Sequence, residues 1–193
     1  PDFTFTCPVD TTVEACLTQA EIQAAFDSWL AHATDTSAWT TGGCFVEITH
    51  NDPTLGNFTC TGGTVPVTFT ITEYNADGEV CQTETCTANF IVNEPPDFTF
   101  TCPVDTTVEA CLTQAEILAA YNSWLAHATD TSAWTTGGCF VEITHNNPTL
   151  DNFTCTGGTV PVTFTITEYN ADGEVCQTET CTANFIVNEP PDF

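Results

Sequence analysis

The sequence contains no lysine and no arginine, although 26 of its 193 residues are aspartate or glutamate. Its formal net charge at pH 7 is therefore −26. Without basic side chains the chain cannot neutralise phosphate groups, so we expect neither nucleic acid nor an anionic membrane surface as a partner. The absence of lysine also excludes lysine–asparagine isopeptide cross-links. No apolar run reaches the roughly 20 residues that a membrane-spanning helix needs.

Dense charge is missing as well, because charged residues make up only 13% of the chain. The polar surface must instead be built largely from threonine, of which residues 1–95 contain 20 and residues 96–190 another 20. The function of acidic residues without basic partners can be interpreted in two ways. They form a self-repelling, solubilising surface, or they bind cations, above all Ca²⁺.

The chain consists of one unit written twice. Residues from Pro1 onward return at Pro96, a spacing of 96 − 1 = 95. We predict two domains, residues 1–95 and 96–190, followed by the start of a third repeat at 191–193. A unit of this length has the size of one small sandwich domain and exceeds the roughly 20–50 residues of a solenoid repeat. The copies differ only at Gln23/Leu118, Phe26/Tyr121, Asp27/Asn122, Asp52/Asn147 and Gly56/Asp151.

Each copy has six cysteines, which makes twelve in all. An even number in a unit of fewer than 100 residues, without Cys-x-x-Cys motifs, predicts three disulfides per domain and an oxidising, extracellular location. The alternative is a zinc site, in which His32 and His50 would have to join thiolates at irregular spacings. The cysteines expected in disulfides are Cys7, Cys16, Cys44, Cys60, Cys81, Cys86, Cys102, Cys111, Cys139, Cys155, Cys176 and Cys181.

Alternating apolar and polar residues predict β-strands through most of the unit. One helix is predicted over residues 19–32, where Thr18 and Glu21 form a capping box and Ile22, Phe26 and Trp29 lie on one apolar stripe. The Thr-, Ser- and Gly-rich stretch 33–43 predicts a loop. The predicted strands are 3–7, 11–15, 44–50, 65–72 and 79–92, with a hairpin turn at 75–78 and a β-bulge near 82–84.

These patterns predict a mainly β protein of tandem immunoglobulin-like β-sandwich domains, each with one inserted short α-helix. If the first strand pairs in parallel with the last, Cys16 and Cys60 share one end of the domain. Cys7, Cys81 and Cys86 then lie at the opposite end, as does Cys44 if its strand runs antiparallel to the strand 65–72. We therefore predict a Cys16–Cys60 bond, two bonds among the other four cysteines, and the same pattern in the second copy.

Four segments of the repeat point to a known family: CPVDTTVEACLTQAEIQAAFDSWLAHAT, GGC, TVPVTFTITEY and CTANFIV. The repeat resembles a recurrent domain of giant secreted proteins of flavobacteria (Bacteroidetes). These include gliding-motility adhesins of the SprB type and proteins with hyalin-repeat-like modules. The resemblance covers the whole repeat. It implies an immunoglobulin-like surface module in a long adhesive filament exported across the outer membrane, and it implies no catalytic residues.

Few residues outside the cysteines are candidates for a site. We expect no enzyme, because a triad of Ser28, His50 and Asp52 would lack a nucleophile elbow and has Asn147 for its acid in the second copy. No cofactor is expected except Ca²⁺, for which Glu94 and Asp97 beside the paired prolines are the candidate ligands. The glycosylation candidates are Asn57 and Asn152, in Asn-x-Thr sequences, and Thr11 and Thr106, in Asp-Thr-Thr sequences similar to flavobacterial O-glycan sites.

Repetition favours a structural function over catalysis, because every added copy gives reach and valency. We expect a stalk or spacer of a secreted filament or adhesin, with neighbouring repeats as its main partners. The alternative is that the repeats themselves bind an extracellular surface or glycan. A remote alternative is ice binding by Thr-x-Thr rows.

Overall fold

The computed structural model describes residues 2–192. Pro1 and Phe193, the last residue of the predicted third-repeat start, lie outside the described residues. The chain divides into two compact units at Pro95/Pro96. In the first unit the elements are β1 (Thr4–Phe5), β2 (Thr11–Val13), α1 (Gln19–Ala33), α2 (Thr36–Trp39), β3 (Thr40–Thr41), β4 (Phe45–His50), β5 (Gly63–Tyr74) and β6 (Val80–Val92).

The second unit repeats this order of elements. They are β7 (Thr99–Phe100), β8 (Thr106–Val108), α3 (Gln114–Ala128), α4 (Thr131–Trp134), β9 (Thr135–Thr136), β10 (Phe140–His145), β11 (Gly158–Tyr169) and β12 (Val175–Val187). Each unit has a four-stranded sheet, in the order β2-β6-β5-β4 or β8-β12-β11-β10, and a two-stranded sheet, β1-β3 or β7-β9.

The long hairpin of β5 and β6 forms the centre of the main sheet. Val67, Phe69 and Ile71 are fully buried on one face of β5, and threonines alternate with them on the other. The turn is closed by Asn75, whose Oδ1 accepts hydrogen bonds from the amides of Asp77 (3.0 Å) and Glu79 (2.9 Å). The side chain of Asn75 thereby replaces backbone partners in the turn.

The β-bulge lies at a different residue from the prediction. Glu73 pairs with Gln82 and Tyr74 with Val80, so Cys81 is the extra residue and the predicted position near 82–84 is wrong. Beyond the bulge the ladder is regular down to Gly63 opposite Val92. The bulge turns Cys81 out of phase with the rest of β6 and leaves its side chain near the hairpin end.

Helix α1 covers the inner face of the main sheet. Its capping box is confirmed, since the Glu21 amide donates to Thr18 Oγ1 (3.2 Å) and the Thr18 amide to Glu21 Oε2 (2.8 Å). Ile22 and Phe26 are buried, and Phe26 meets Phe90 edge-on at 5.1 Å between ring centroids. Each such buried side chain contributes about 1.5–3 kcal/mol.

The stretch 33–43 was predicted to be a loop, and this prediction is wrong, because the stretch contains α2 and β3. Asp35 caps α2 by accepting from the Ser37 amide at 3.0 Å. β3 pairs with β1, and Phe3, Phe5 and Trp39 pack on the same core as α1. The layer opposite the main sheet is therefore α1 plus a two-stranded sheet. The predicted mainly β, sandwich-like fold is confirmed, as is the parallel pairing of β2 with the last strand, β6, and each unit has the four-residue α2 besides the one predicted helix.

Candidate functional site

The best-built chemical feature of each unit is its set of disulfides. Cys7, just after β1, is bonded to Cys86 in the middle of β6, with 6.0 Å between their Cα atoms. The second unit has the same bond between Cys102 and Cys181. Cys86 lies opposite Phe69 and packs against the core. This bond joins two residues separated by 79 positions, so it closes most of the unit into one covalent loop.

Two further cysteines of each unit are oxidised, but they are not equivalent ones. Cys16 and Cys60 are disulfide-bonded in the first unit, and Cys139 and Cys176 in the second. Disulfides persist in oxidising compartments, so the protein belongs in an extracytoplasmic, oxidising environment.

The remaining four cysteines are thiols in the structure, so not every cysteine is bonded, as the predicted three disulfides per unit would require. Cys44 and Cys81 of the first unit and Cys111 and Cys155 of the second are exposed and unbonded. The prediction of one pattern in both copies is therefore wrong for this structure. Cys7 and Cys86 do come from the set of four predicted to pair among themselves.

The outer face of the main sheet, opposite α1, carries an array of hydroxyl groups that we call the threonine face. Thr49, Thr70 and Thr85 lie side by side across three strands, and Thr72/Thr83 and Thr68/Thr87 are adjacent cross-strand pairs. Neighbouring strands are about 4.8 Å apart. The second unit repeats the array. Its members are Thr49, Thr68, Thr70, Thr72, Thr83, Thr85 and Thr87, with equivalents Thr144, Thr163, Thr165, Thr167, Thr178, Thr180 and Thr182.

Asp10 has a structural task that sequence reasoning missed. Its carboxylate accepts hydrogen bonds from the Asn89 amide (2.7 Å) and the Asn89 Nδ2 (3.2 Å), across 79 residues of sequence. Asp105 holds Asn184 in the same way. The contact ties the segment before β2 to β6, so this acid is not a free ligand for a cation. The sequence gives no local signal for it.

The Ca²⁺ proposal receives no support from a cluster of ligands. No group of three or more His, Cys, Asp or Glu residues suited to a metal occurs within residues 2–192. Glu94 and Asp97 are exposed and belong to different units. Calcium binding by this pair stays a prediction.

The histidine of the triad considered above, Ser28, His50 and Asp52, accepts a hydrogen bond from a backbone amide. His50 Nδ1 accepts from the amide of Asp52 at 3.1 Å, and His145 Nδ1 accepts from that of Asn147 at 3.0 Å. The acid side chain is therefore not what orients the imidazole, and Ser28 lies exposed on α1. His32, the other residue considered for zinc, contacts Trp39 edge-on with 5.3 Å between ring centroids.

The glycosylation candidates differ in accessibility. Asn57 and Asn152 are exposed, and Asn57 Oδ1 accepts from Thr59 Oγ1 at 2.7 Å. Thr11 and Thr106 are half-buried within β2 and β8.

Two carboxylates at the helix starts of each unit have perturbed acidity. Hydrogen bonds from the Thr18 amide and hydroxyl lower the pKa of Glu21, and the Thr113 amide and hydroxyl do the same for the pKa of Glu116. Ser37 similarly lowers the pKa of Asp35 through its hydroxyl and amide. These groups stabilise the ionised carboxylate, as expected for caps.

A small cleft lies between β1, α2 and β3 of each unit. It holds about 160 Å³ in the first unit and about 240 Å³ in the second. Ligand pockets usually have about 300–1,000 Å³, so this cleft is small for such a site.

No family model and no curated protein sequence matches the chain. Among residues 2–192, no helix is long and apolar enough to cross a membrane.

Proposed function

We propose that the chain is a tandem structural repeat of a long filament at the cell surface. Each unit serves as a load-bearing spacer that holds an adhesive or motile element away from the cell. The observation that carries this proposal is the Cys7–Cys86 bond. It joins the entry segment of the unit directly to its last strand.

The bond determines the path of a pulling force. A force applied at the two ends of the unit enters near residue 7, crosses the disulfide and leaves along the end of β6. Residues 8–85 then carry no tension, because they form a loop off this path. Such a unit keeps its length even if its core opens.

A second, non-covalent link lies next to the disulfide. β2 and β6 pair in parallel, Thr11 with Phe90 through Val13 with Val92, and the Asn93 amide donates to the Val13 carbonyl at 3.0 Å. Asp10 holds Asn89 beside them. Pulling the start of β2 against the end of β6 shears these hydrogen bonds together. If the disulfide is reduced, this pairing takes the load.

The proposal is tested by single-molecule extension of the whole chain. In oxidant we expect no release of the loop between Cys7 and Cys86. In reductant each unit should lengthen by about 270 Å, from 79 residues at about 3.5 Å each. A release of that length from the oxidised chain contradicts the spacer function.

The threonine face favours a second candidate, direct binding by the repeats. An in-register hydroxyl array can hydrogen-bond a neutral glycan or an ice surface. Glycan-array binding and thermal hysteresis of the oxidised chain test it, with Thr70→Val/Thr85→Val as the variant and Thr12→Val, outside the array, as control. Binding that only the array variant abolishes supports this candidate, and no binding in either assay removes it.

A further inference from the structure

One end of the threonine face carries apolar side chains instead of hydroxyl groups. In the first unit this apolar row consists of Phe45, Tyr74 and Val80, which pair in register across β4, β5 and β6. The second unit has the equivalent row, Phe140, Tyr169 and Val175. Directly opposed residues of neighbouring strands lie on the same face of a sheet, so the three side chains of a row form one contiguous patch.

The apolar row is exposed. Phe45 and Val80 are each 59% exposed, and their equivalents Phe140 and Val175 are 53% and 57% exposed. Among residues 2–192, the side chains packed on the two hydrophobic cores include no member of either row, whereas Val46, the next residue on β4, does pack on the core. The row therefore serves no core, and adjacent exposed apolar residues with a polar rim are a feature of interaction sites.

The next row along the threonine face is polar. It consists of Glu47, Thr72 and Thr83, which pair in register about 7 Å from the apolar row. The Tyr74 hydroxyl donates to Glu47 Oε2 at 3.2 Å, and the Tyr169 hydroxyl donates to Glu142 Oε2 at 3.3 Å. This contact holds the tyrosine ring at the border between the two rows and leaves the carboxylate with further acceptor positions.

The two rows together match the chemistry of a sugar. One face of a pyranose ring presents C–H groups, which pack against an aromatic ring. Its edge presents hydroxyl groups, which donate to a carboxylate and exchange hydrogen bonds with threonine and tyrosine hydroxyls. The apolar row spans three strands, about 10 Å, so it has room for adjoining sugar rings of one polysaccharide chain.

The charge of the surface determines which sugars fit. The polar row contains Glu47, and the chain has 26 acidic residues without any lysine or arginine. No basic group pairs with the carboxylate or sulfate of an acidic sugar, and like charges repel it. A second copy of the chain is disfavoured on this face for the same reason. A neutral polysaccharide meets neither obstacle.

We propose that the apolar row of each unit binds a neutral polysaccharide. Sugar rings lie on Phe45 and Tyr74, and Glu47 accepts a hydrogen bond from a sugar hydroxyl. The equivalent site of the second unit consists of Phe140, Tyr169 and Glu142. The proposal rests on the second candidate function, direct binding by the repeats, and names the ligand class and the residues that anchor it.

Affinity electrophoresis of the whole oxidised chain tests the proposal. The neutral probes in the gel are hydroxyethylcellulose, laminarin and galactomannan, and carboxymethylcellulose is the charged counterpart of the first. We expect retardation by at least one neutral probe and none by carboxymethylcellulose. Phe45→Ala/Phe140→Ala should weaken binding of that probe by about tenfold or more. The control Val9→Ala/Val104→Ala, at exposed positions outside the row, should leave binding unchanged, and both variants should keep the melting temperature of the wild type.

Retardation by no neutral probe, equal retardation by carboxymethylcellulose, or undiminished binding by the phenylalanine variant would overturn the proposal. The variant Thr70→Val/Thr85→Val/Thr165→Val/Thr180→Val separates the apolar row from the rest of the face. Loss of binding in that variant alone would leave direct binding by the repeats standing and contradict the row as its anchor. Dimers in sedimentation that the phenylalanine variant abolishes, without polysaccharide binding, would show that a second copy covers the row. The extension experiment does not involve the row, so its result on the spacer function is independent.

Discussion

The two units differ at five positions. One difference, Phe26/Tyr121, exchanges one buried aromatic ring for another, and the other four fall where the structure makes little specific use of the side chain. Gln23 Nε2 donates to Asp27 Oδ1 at 2.8 Å on the exposed face of α1. The second unit has changed both partners, and Leu118 is 46% exposed there. Two positions on one surface contact have changed together.

At two of the other differing positions, the residue makes its hydrogen bond through a backbone atom and not through its side chain. Asp52 and Asn147 have φ +50° and +48°, a region that both Asp and Asn tolerate, and only their amides contact the histidine. Gly56 and Asp151 each accept from a glutamine Nε2 through the carbonyl oxygen. The comparison teaches that the repeat has conserved between its copies the cysteines, the threonine face and the Asp10 contact, and has varied positions outside them.

The units also differ in the burial of two polar residues near their cysteines. Glu168 and Asn170, next to the bonded Cys139 and Cys176, are 6% and 2% exposed, whereas Glu73 and Asn75 beside the thiols are half-buried. This hairpin end is thus more buried in the second unit. Matched substitutions in the two units test whether equivalent residues contribute equally to stability.

The largest effect should come from removing the bond that both units share. Cys7→Ser/Cys86→Ser and Cys102→Ser/Cys181→Ser should each destabilise their own unit by about 2–5 kcal/mol. Calorimetry in oxidant should resolve one lowered transition and one unchanged transition for either variant. Unequal losses would show that the units are not energetically equivalent.

Core truncation should have an effect of similar size and be equal in the two units. Phe69 and Phe164 are fully buried, so replacing either with alanine should cost about 3–5 kcal/mol of the free energy of unfolding. Denaturant unfolding measures it, with Thr83→Ala on the exposed face as the control. A loss below 1 kcal/mol would contradict the assigned core.

Loss of the Asp10 contact should have a smaller effect. Asp10→Ala and Asp105→Ala each remove a carboxylate that accepts from a backbone amide at 2.7 Å, which should cost about 1 kcal/mol. Hydrogen exchange should show faster exchange of the Asn89 or Asn184 amide in the altered unit. Unchanged exchange would mean that the contact does not form in solution.

The helix caps should make stability depend on acid. The pKa of Glu21 is lowered by the amide and hydroxyl of Thr18, so its stabilisation is present above the ordinary value of 4.5 and is lost as pH falls through the lowered value. Melting temperature should fall with pH in this window. Glu21→Gln/Glu116→Gln should flatten the dependence, and Glu14→Gln, outside the helix, should leave it unchanged. An unaltered slope in the double variant would contradict the caps.

The smallest effect should come from exchanging the buried aromatic residues. Tyr121 donates to the Pro148 carbonyl at 3.4 Å, and burial raises its pKa, whereas Phe26 has no hydroxyl. Tyr121→Phe should change stability by about 0.5 kcal/mol or less, because the hydrogen bond is long. Phe26→Tyr is the reciprocal test, and a change above 2 kcal/mol in either would show that the pockets differ.

Sequence patterns predicted the helices and strands whose formation depends on residues close together in the sequence. The capping box of Thr18 and Glu21 located α1, and strict alternation from Val65 to Thr72 located β5. The short β3 escaped prediction because it depends on pairing with β1, some 35 residues earlier. The Asp10 contact and the threonine face likewise depend on strand order, which alternation does not reveal.

The cysteines show the same limit. The even number of cysteines predicted that they are oxidised. The expected parallel pairing of the first and last strands predicted at which end of the unit each cysteine lies. The bulge at Cys81 and the left-handed backbone at Cys16 are features of the folded unit, and no spacing in the sequence encodes them.

The central claim, that a covalent path carries load through each unit, is tested most directly by extending three forms of the chain in oxidant. The wild type should show no loop release, Cys7→Ser/Cys86→Ser one event, and the variant with Cys102→Ser/Cys181→Ser added two events. Each event should be no longer than the roughly 270 Å of the reduced unit. Loop release from the oxidised wild type, or the same number of events in all three forms, would contradict the account.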